Sequence, residues 1–199
     1  MRTNCAGWIV SFVIAFLAVL AAKYYAYFPG DVAVTKYVQS MFGQNLRWAE
    51  IISDTAKSPS IFIMLAAVFI FSWRLAGWRA ALVSILSFMV MLVLGDWLQP
   101  IIARPRPSAE LVNVLKPLSG YSFPSIFALR YAAAFGFLMI LALKKSSGLL
   151  RMCVLMLCIA LLIAGFFARV ALAAHWPSDV IISYYIALLF AALLIRLAQ

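Results

Sequence analysis

The sequence predicts an all-α polytopic membrane protein, with six transmembrane helices in one bundle and both termini in the cytoplasm. Three observations lead there. Of the 199 residues 67% are hydrophobic and 11% charged, with a mean hydropathy of +1.06, whereas soluble domains draw about a quarter of their residues from the charged set. The apolar residues gather in stretches close to the ~20 residues that cross a bilayer as a helix. Acids and bases, 6 against 16, separate between the connections. The net charge of +10 therefore reflects topology and does not indicate a nucleic-acid partner. The length allows one domain, residues 1–199, and excludes repeat arrays or a cofactor domain.

The first span covers residues 7–22. Its length and the small residues Ala21 and Ala22 resemble a signal peptide, but its removal would leave an odd number of spans, so an uncleaved anchor is expected. Residues 29–58 form the longest polar connection. There Val34, Tyr37, Val38, Met41, Phe42, Leu46, Trp48 and Ile51 fit an amphipathic helix at the outer interface. Pro29-Gly30 precedes it, Gly43-Gln44-Asn45 interrupts it and Pro59 opens the next span. A lid packed on the bundle is the expected role. The remaining spans are read at 59–73, 78–98, 124–143, 149–167 and 178–197.

Six spans put both ends on one side. The connections there carry Arg2, Arg74, Arg79, Lys144, Lys145, Arg151 and Arg196 and no acid, which places that side in the cytoplasm. All six acids, Asp31, Glu50, Asp54, Asp96, Glu110 and Asp179, lie in or beside the other connections. Nine bases lie there too, several in polar clusters read below as functional. Cys5, Cys153 and Cys158 show no disulfide framework, and C-x4-C without a nearby His or carboxylate is no metal site.

Polar groups within hydrocarbon persist for a reason. Three clusters do this on the outer face. Asp96-Trp97-Leu98-Gln99-Pro100 runs into Arg104-Pro105-Arg106-Pro107; Tyr121-Ser122-Phe123-Pro124-Ser125 opens the fourth span; Arg169, His175, Trp176, Pro177, Ser178 and Asp179 join the fifth to the sixth. Arginines offer forked donors to phosphate oxygens, and a helix starting at Pro124, with Ser125 in its first turn, offers free N–H groups. His175, the sole histidine, precedes Asp179 by four residues. It is either a nucleophile whose ring a carboxylate orients or an interfacial structural residue.

These clusters resemble the three-part signature of the type 2 phosphatidic acid phosphatase superfamily. The third part, S-R, five residues, H, three residues, D, is met by Arg169, His175 and Asp179, with Ala168 in place of Ser. The second, P-S-G-H, is met by Pro124 and Ser125, with Ile126 and Phe127 at the Gly and His positions. The first, K, six residues, R-P, is met by Arg106 and Pro107, with Gln99 at the Lys position. The resemblance implies a phosphohistidine at His175, orientation of its ring by Asp179, and phosphate oxygens bound by Arg106, Arg169 and Ser125, with Arg104 and Gln99 beside them. It implies no cofactor and no metal. The family's general acid, at Phe127, and its first-motif lysine, at Gln99, are absent.

General acid catalysis contributes ~10²- to 10⁴-fold. A phosphate leaving from a diphosphate is already a weak base, so a lipid diphosphate, such as a polyprenyl diphosphate, suits this chain better than a monoester. Arg130, one turn below Phe127, either pairs with Asp96, contacts phosphate, or faces lipid or a loop. Two functional readings follow. One is a lipid phosphate or diphosphate phosphatase or phosphotransferase in a bacterial cytoplasmic (inner) membrane, its site facing the periplasm or outside. The other is a catalytically degenerate relative that binds or translocates an anionic lipid phosphate without cleaving it.

Overall fold

The computed structural model describes residues 5–198, so Arg2 lies outside the described residues. The chain is helical, with no strand among those residues. The helices are α1 (Cys5–Tyr24), α2 (Asp31–Phe42), α3 (Arg47–Asp54), α4 (Ser60–Ala76), α5 (Trp78–Ile102), α6 (Ile126–Tyr131), α7 (Phe137–Lys145), α8 (Gly148–Ala171) and α9 (Pro177–Leu197). A π-helical turn, Ala132–Gly136, makes α6 and α7 one continuous rod. Five helical segments are long and apolar enough to cross a membrane: α1, α5, Ile126–Lys145, α8 and α9. The expected second span, α4, is apolar but only 17 residues long.

The bundle has the inverse surface of a soluble protein. Phe62, Ile63, Val93, Trp97, Met156 and Ile163 point outward, while Ala132, Ala133, Ala134, Ala187 and Ala191 are fully buried. Small residues at the contacts let helices approach closely, which is how packing is gained where lipid is as apolar as the side chains. Gly136 marks one such approach, since a Cβ there would run into the Leu188 side chain on α9.

The start of α1 and the end of α9 meet at one end of the bundle. The Arg196 guanidinium lies 5.9 Å from the centre of the Trp8 ring, and Arg79, Lys145 and Ala198 line one cavity. The first turn of α9 is at the opposite end, where the polar clusters converge.

The 29–58 segment breaks into two helices at Gly43, as its sequence predicts. Val38, Leu46 and Ala49 pack against Ala168, Val170 and Ala171 of α8, while Val34, Tyr37, Met41 and Ile51 remain exposed. Gln39 clamps the long loop after α5, donating to Asn113 O at 2.6 Å and accepting from Asn113 N at 3.1 Å. One helix start needs correction. The fourth span begins at Ile126, not Pro124, and Ser125 is its N-cap, its hydroxyl accepting from Ala128 N at 3.3 Å. A serine oxygen there satisfies one of the orphan N–H groups, which is the common use of serine before a helix.

Candidate active site

His175 sits in the short turn between α8 and α9. The chain reverses at Ala173, in the left-handed region with φ 48°, and Pro177 restarts it as a helix, where its lacking N–H costs nothing. The imidazole is 3% exposed. Its Nδ1 lies 2.6 Å from the Ser122 carbonyl oxygen. A carbonyl only accepts, so Nδ1 carries the proton and Nε2 keeps its lone pair. Burial, then the neighbouring Arg169 and Arg106, hold the His175 pKa well below the usual 6.5, so the ring is neutral at physiological pH. A neutral imidazole with a fixed tautomer is the nucleophilic form.

Asp179 does not touch that ring. Its carboxylate accepts from Trp176 N at 2.9 Å, from the Ser122 hydroxyl and from Arg104. The expected orientation of His175 by Asp179 is therefore replaced by a relay, in which Asp179 holds Ser122 and the Ser122 carbonyl holds His175. The cause is local. At the third residue of α9, Asp179 turns back to the N–H of Trp176, as acidic residues at that position commonly do.

Arg104 also departs from expectation. It is buried and ion-paired to Asp31 at 3.1 Å and to Asp179, and it donates to Tyr25 O at 3.0 Å and Ser178 Oγ at 3.0 Å. Each of its three guanidinium nitrogens thus has an acceptor within the protein. Asp31 completes this knot by accepting from Ser178 N at 2.9 Å and Ser178 Oγ at 2.6 Å. The knot ties the start of α2 to the start of α9, engages four of the five N–H donors of Arg104 and buries its guanidinium.

The other arginines face a cavity of about 180 Å³ beside His175. Arg106, Arg130, Arg169, Lys57, Gln99, Ile126 and Phe127 line it, and no carboxylate does among the described residues. Arg106 is held by Ala174 O at 2.5 Å and Ser119 O at 3.2 Å. Burial lowers its pKa, partly offset by Asp179, but guanidinium remains charged in proteins. Arg169 donates to Ser53 Oγ at 3.1 Å and lies 5.3 Å from the centre of the Phe127 ring. Arg130 makes no ion pair with Asp96; its Nη1 donates to Ala56 O at 2.9 Å. The buried Nε atoms of Arg130 and Arg169 have no partner. Cationic side chains gathered on one wall with no carboxylate beside them suit an anionic ligand.

Gln99 spans the position of the missing lysine differently. Its amide donates to Pro124 O at 3.1 Å and Tyr121 O at 3.3 Å, bracing the loop that carries Ser122. Ser125 is fully buried, and its N–H donates to Ser183 Oγ at 2.9 Å. Four residues gain importance that sequence reasoning did not give them: Ser122, Ser53, Asp31 and Lys57. Ser122 meets Asp179 through its hydroxyl and His175 through its backbone carbonyl, and no side-chain pattern reveals the second contact. Asp31 carried one signal, an acid at the first residue of an otherwise apolar-faced helix.

Similarity to known proteins follows the same outline. The family model described as PAP2 superfamily matches residues 76–199. Comparison with curated proteins finds no match. Among solved structures, the crystal structure of a transmembrane PAP2 type phosphatidylglycerolphosphate phosphatase from Bacillus subtilis superposes with a TM-score of 0.71 at 18% identity, covering 93% of this chain and 94% of that one. At that identity the likeness is one of fold.

Proposed function

The chain belongs to the PAP2 superfamily, and from that premise we propose that it is a lipid phosphate or diphosphate phosphatase or phosphotransferase working through a phosphohistidine at His175. One observation carries the reading. The imidazole, with its tautomer fixed by the Ser122 carbonyl, lines the same cavity as Arg106, Arg130 and Arg169.

The chemistry follows from that arrangement. The arginines hold the non-bridging oxygens of a phosphoryl group and neutralise their charge. The Nε2 lone pair attacks phosphorus in line with the leaving oxygen, the P–O bond breaks, and its electron pair departs with the lipid product. The imidazole then carries a positive charge, which the Ser122 carbonyl dipole at Nδ1 stabilises. Water, or an acceptor hydroxyl in phosphotransfer, next attacks phosphorus. The N–P bond breaks, its electrons return to Nε2, and the proton of the attacking oxygen passes to the product. No histidine stands at Phe127 to protonate the leaving oxygen. A polyprenyl diphosphate, whose leaving group is a stabilised phosphate, is therefore favoured over monoesters.

The membrane arrangement belongs to the same proposal. With ~1.5 Å rise per residue, the 17 residues of α4 extend about 26 Å, near the lower limit for a span. Counting it gives six spans, both termini in the cytoplasm of a bacterial inner membrane, and His175 towards the periplasm. Residues 1–199 then form one phosphatase-like unit with 29–58 at the outer interface.

A binder that does not hydrolyse is the second reading, favoured by Ile126 and Phe127 lining the cavity where the family carries Gly and His. The test is phosphate release by the purified protein from a polyprenyl diphosphate, a phosphatidic acid and a sugar-lipid phosphate, beside His175→Ala. Release that the substitution abolishes supports the enzyme. No release from any of them, with one lipid tightly retained, selects the binder.

A further inference from the structure

The cations of the cavity differ in their distance from His175. Arg169 and Arg106 are near enough to act on its charge, whereas Arg130 and Lys57 go with the outer turn, which also holds Arg169 through Ser53. Arg106 is bound to Ala174 O, the residue before His175. Arg130 is bound to Ala56 O, the residue before Lys57. Lys57 itself is on the turn between α3 and α4, outside the stretch that carries the family signature, and lines the cavity with them. Its ammonium is mostly exposed and engaged only with Asp54, at 2.8 Å across one helical turn, a kind of pair that contributes little and exchanges readily.

A second cavity of about 270 Å³ adjoins the first and shares Ser53, Lys57 and Arg169 with it. Lys57 and Arg169 thus stand at the junction. The first cavity has four formal positive charges and no carboxylate on its wall among the described residues. A phosphate monoester brings roughly two negative charges, which leaves one pair of cations uncompensated.

We infer that Lys57 and Arg130 form a second phosphoryl subsite, so that the cavity takes a lipid-borne diphosphate with its terminal phosphoryl at His175, Arg106 and Arg169 and its inner one at Lys57 and Arg130. This rests on the phosphate site proposed above and names the substrate class it selects. Lys57 supplies from the outer turn the charge that Gln99 does not supply from α5. In transfer, the bond between terminal phosphorus and bridging oxygen breaks, the phosphorus joins Nε2, and the electron pair stays on the inner phosphoryl, beside Lys57.

The experiment measures binding of a prenyl methylenebisphosphonate and a prenyl monophosphonate, both inert to hydrolysis, to the full-length protein in detergent. Wild type should prefer the bisphosphonate by tenfold or more. Lys57→Gln should reduce that preference at least fivefold with monophosphonate affinity unchanged, and Lys57→Arg should restore it. An unchanged preference in Lys57→Gln, or equal loss for both analogues, overturns the subsite alone. No binding of either analogue to wild type overturns the phosphate site and this assignment with it. Inorganic pyrophosphate should compete more than tenfold less well than the bisphosphonate; equal competition would assign the subsite to free pyrophosphate and overturn the lipid.

Discussion

Asp179→Asn separates a relay through Ser122 from direct contact with His175. The side chain is fully buried and its carboxylate receives three donors, Trp176 N–H, the Ser122 hydroxyl and Arg104. An amide of the same shape offers one acceptor oxygen and turns an NH2 towards at least one of those donors. Arg104 keeps only Asp31 as counter-ion. Breaking one side of a buried ion pair typically costs about 3–5 kcal/mol, and at roughly 2–4 °C per kcal/mol for a chain of this size the midpoint of thermal unfolding should drop by about 10 °C. Turnover per folded molecule should fall by no more than about tenfold, because the Ser122 carbonyl still holds Nδ1. The assay pairs thermal unfolding in detergent with phosphate release normalised to folded protein. An unfolding midpoint near wild type with a loss of about 10⁴-fold in rate, the size seen when a carboxylate that fixes a catalytic tautomer is removed, would refute the relay.

Three further outcomes follow from the same geometry. Since the folded pKa of His175 is depressed below its usual 6.5, the active neutral ring should persist as pH falls through that value. Single-turnover rates should be flat there and decline only in more acid solution, and a midpoint at or above 6.5 would contradict the buried ring. The unfolded chain protonates first, so this group's effect on stability is a loss as pH falls below about 6.5. The double substitution Ile126→Gly, Phe127→His should raise phosphate release from a monoester at least tenfold, within the range of general acid catalysis, and no gain in a folded protein counts against the motif alignment. Arg104→Gln should lower the unfolding temperature with phosphonate affinity unchanged, whereas Arg106→Gln should weaken phosphonate binding about tenfold or more; the reverse pattern would mean their roles are exchanged.

The helices were legible because hydrocarbon leaves few choices of backbone. Apolar length alone marks a span, and Gly43 and Pro59 mark the breaks in the outer segment. The site was legible as a set of segments, since polar groups at one membrane level stand out against 67% hydrophobic residues. Pairing within the site was not. Nothing in Arg104-Pro105-Arg106 distinguishes the two arginines, because the carboxylates that claim Arg104 are 73 positions upstream and 75 downstream. The spacing of His175 and Asp179 suggests contact along a helix, but His175 precedes the helix and Asp179 is drawn to its N-cap. Arg130 had three readings in sequence, and only the approach of the α3–α4 turn, which brings Ala56 O within 2.9 Å, separates them. Lys57 lies outside the family's motifs and became visible only when that turn closed over the cavity.

The most direct measurement is chemical trapping of the intermediate. Purified protein is mixed with a prenyl diphosphate radiolabelled in its terminal phosphoryl group, quenched in alkali and digested for peptide mapping. An acid-labile, alkali-stable label confined to the peptide containing His175, and missing from His175→Ala, is the predicted result. Turnover without such a label, or a label on any other residue, would contradict it.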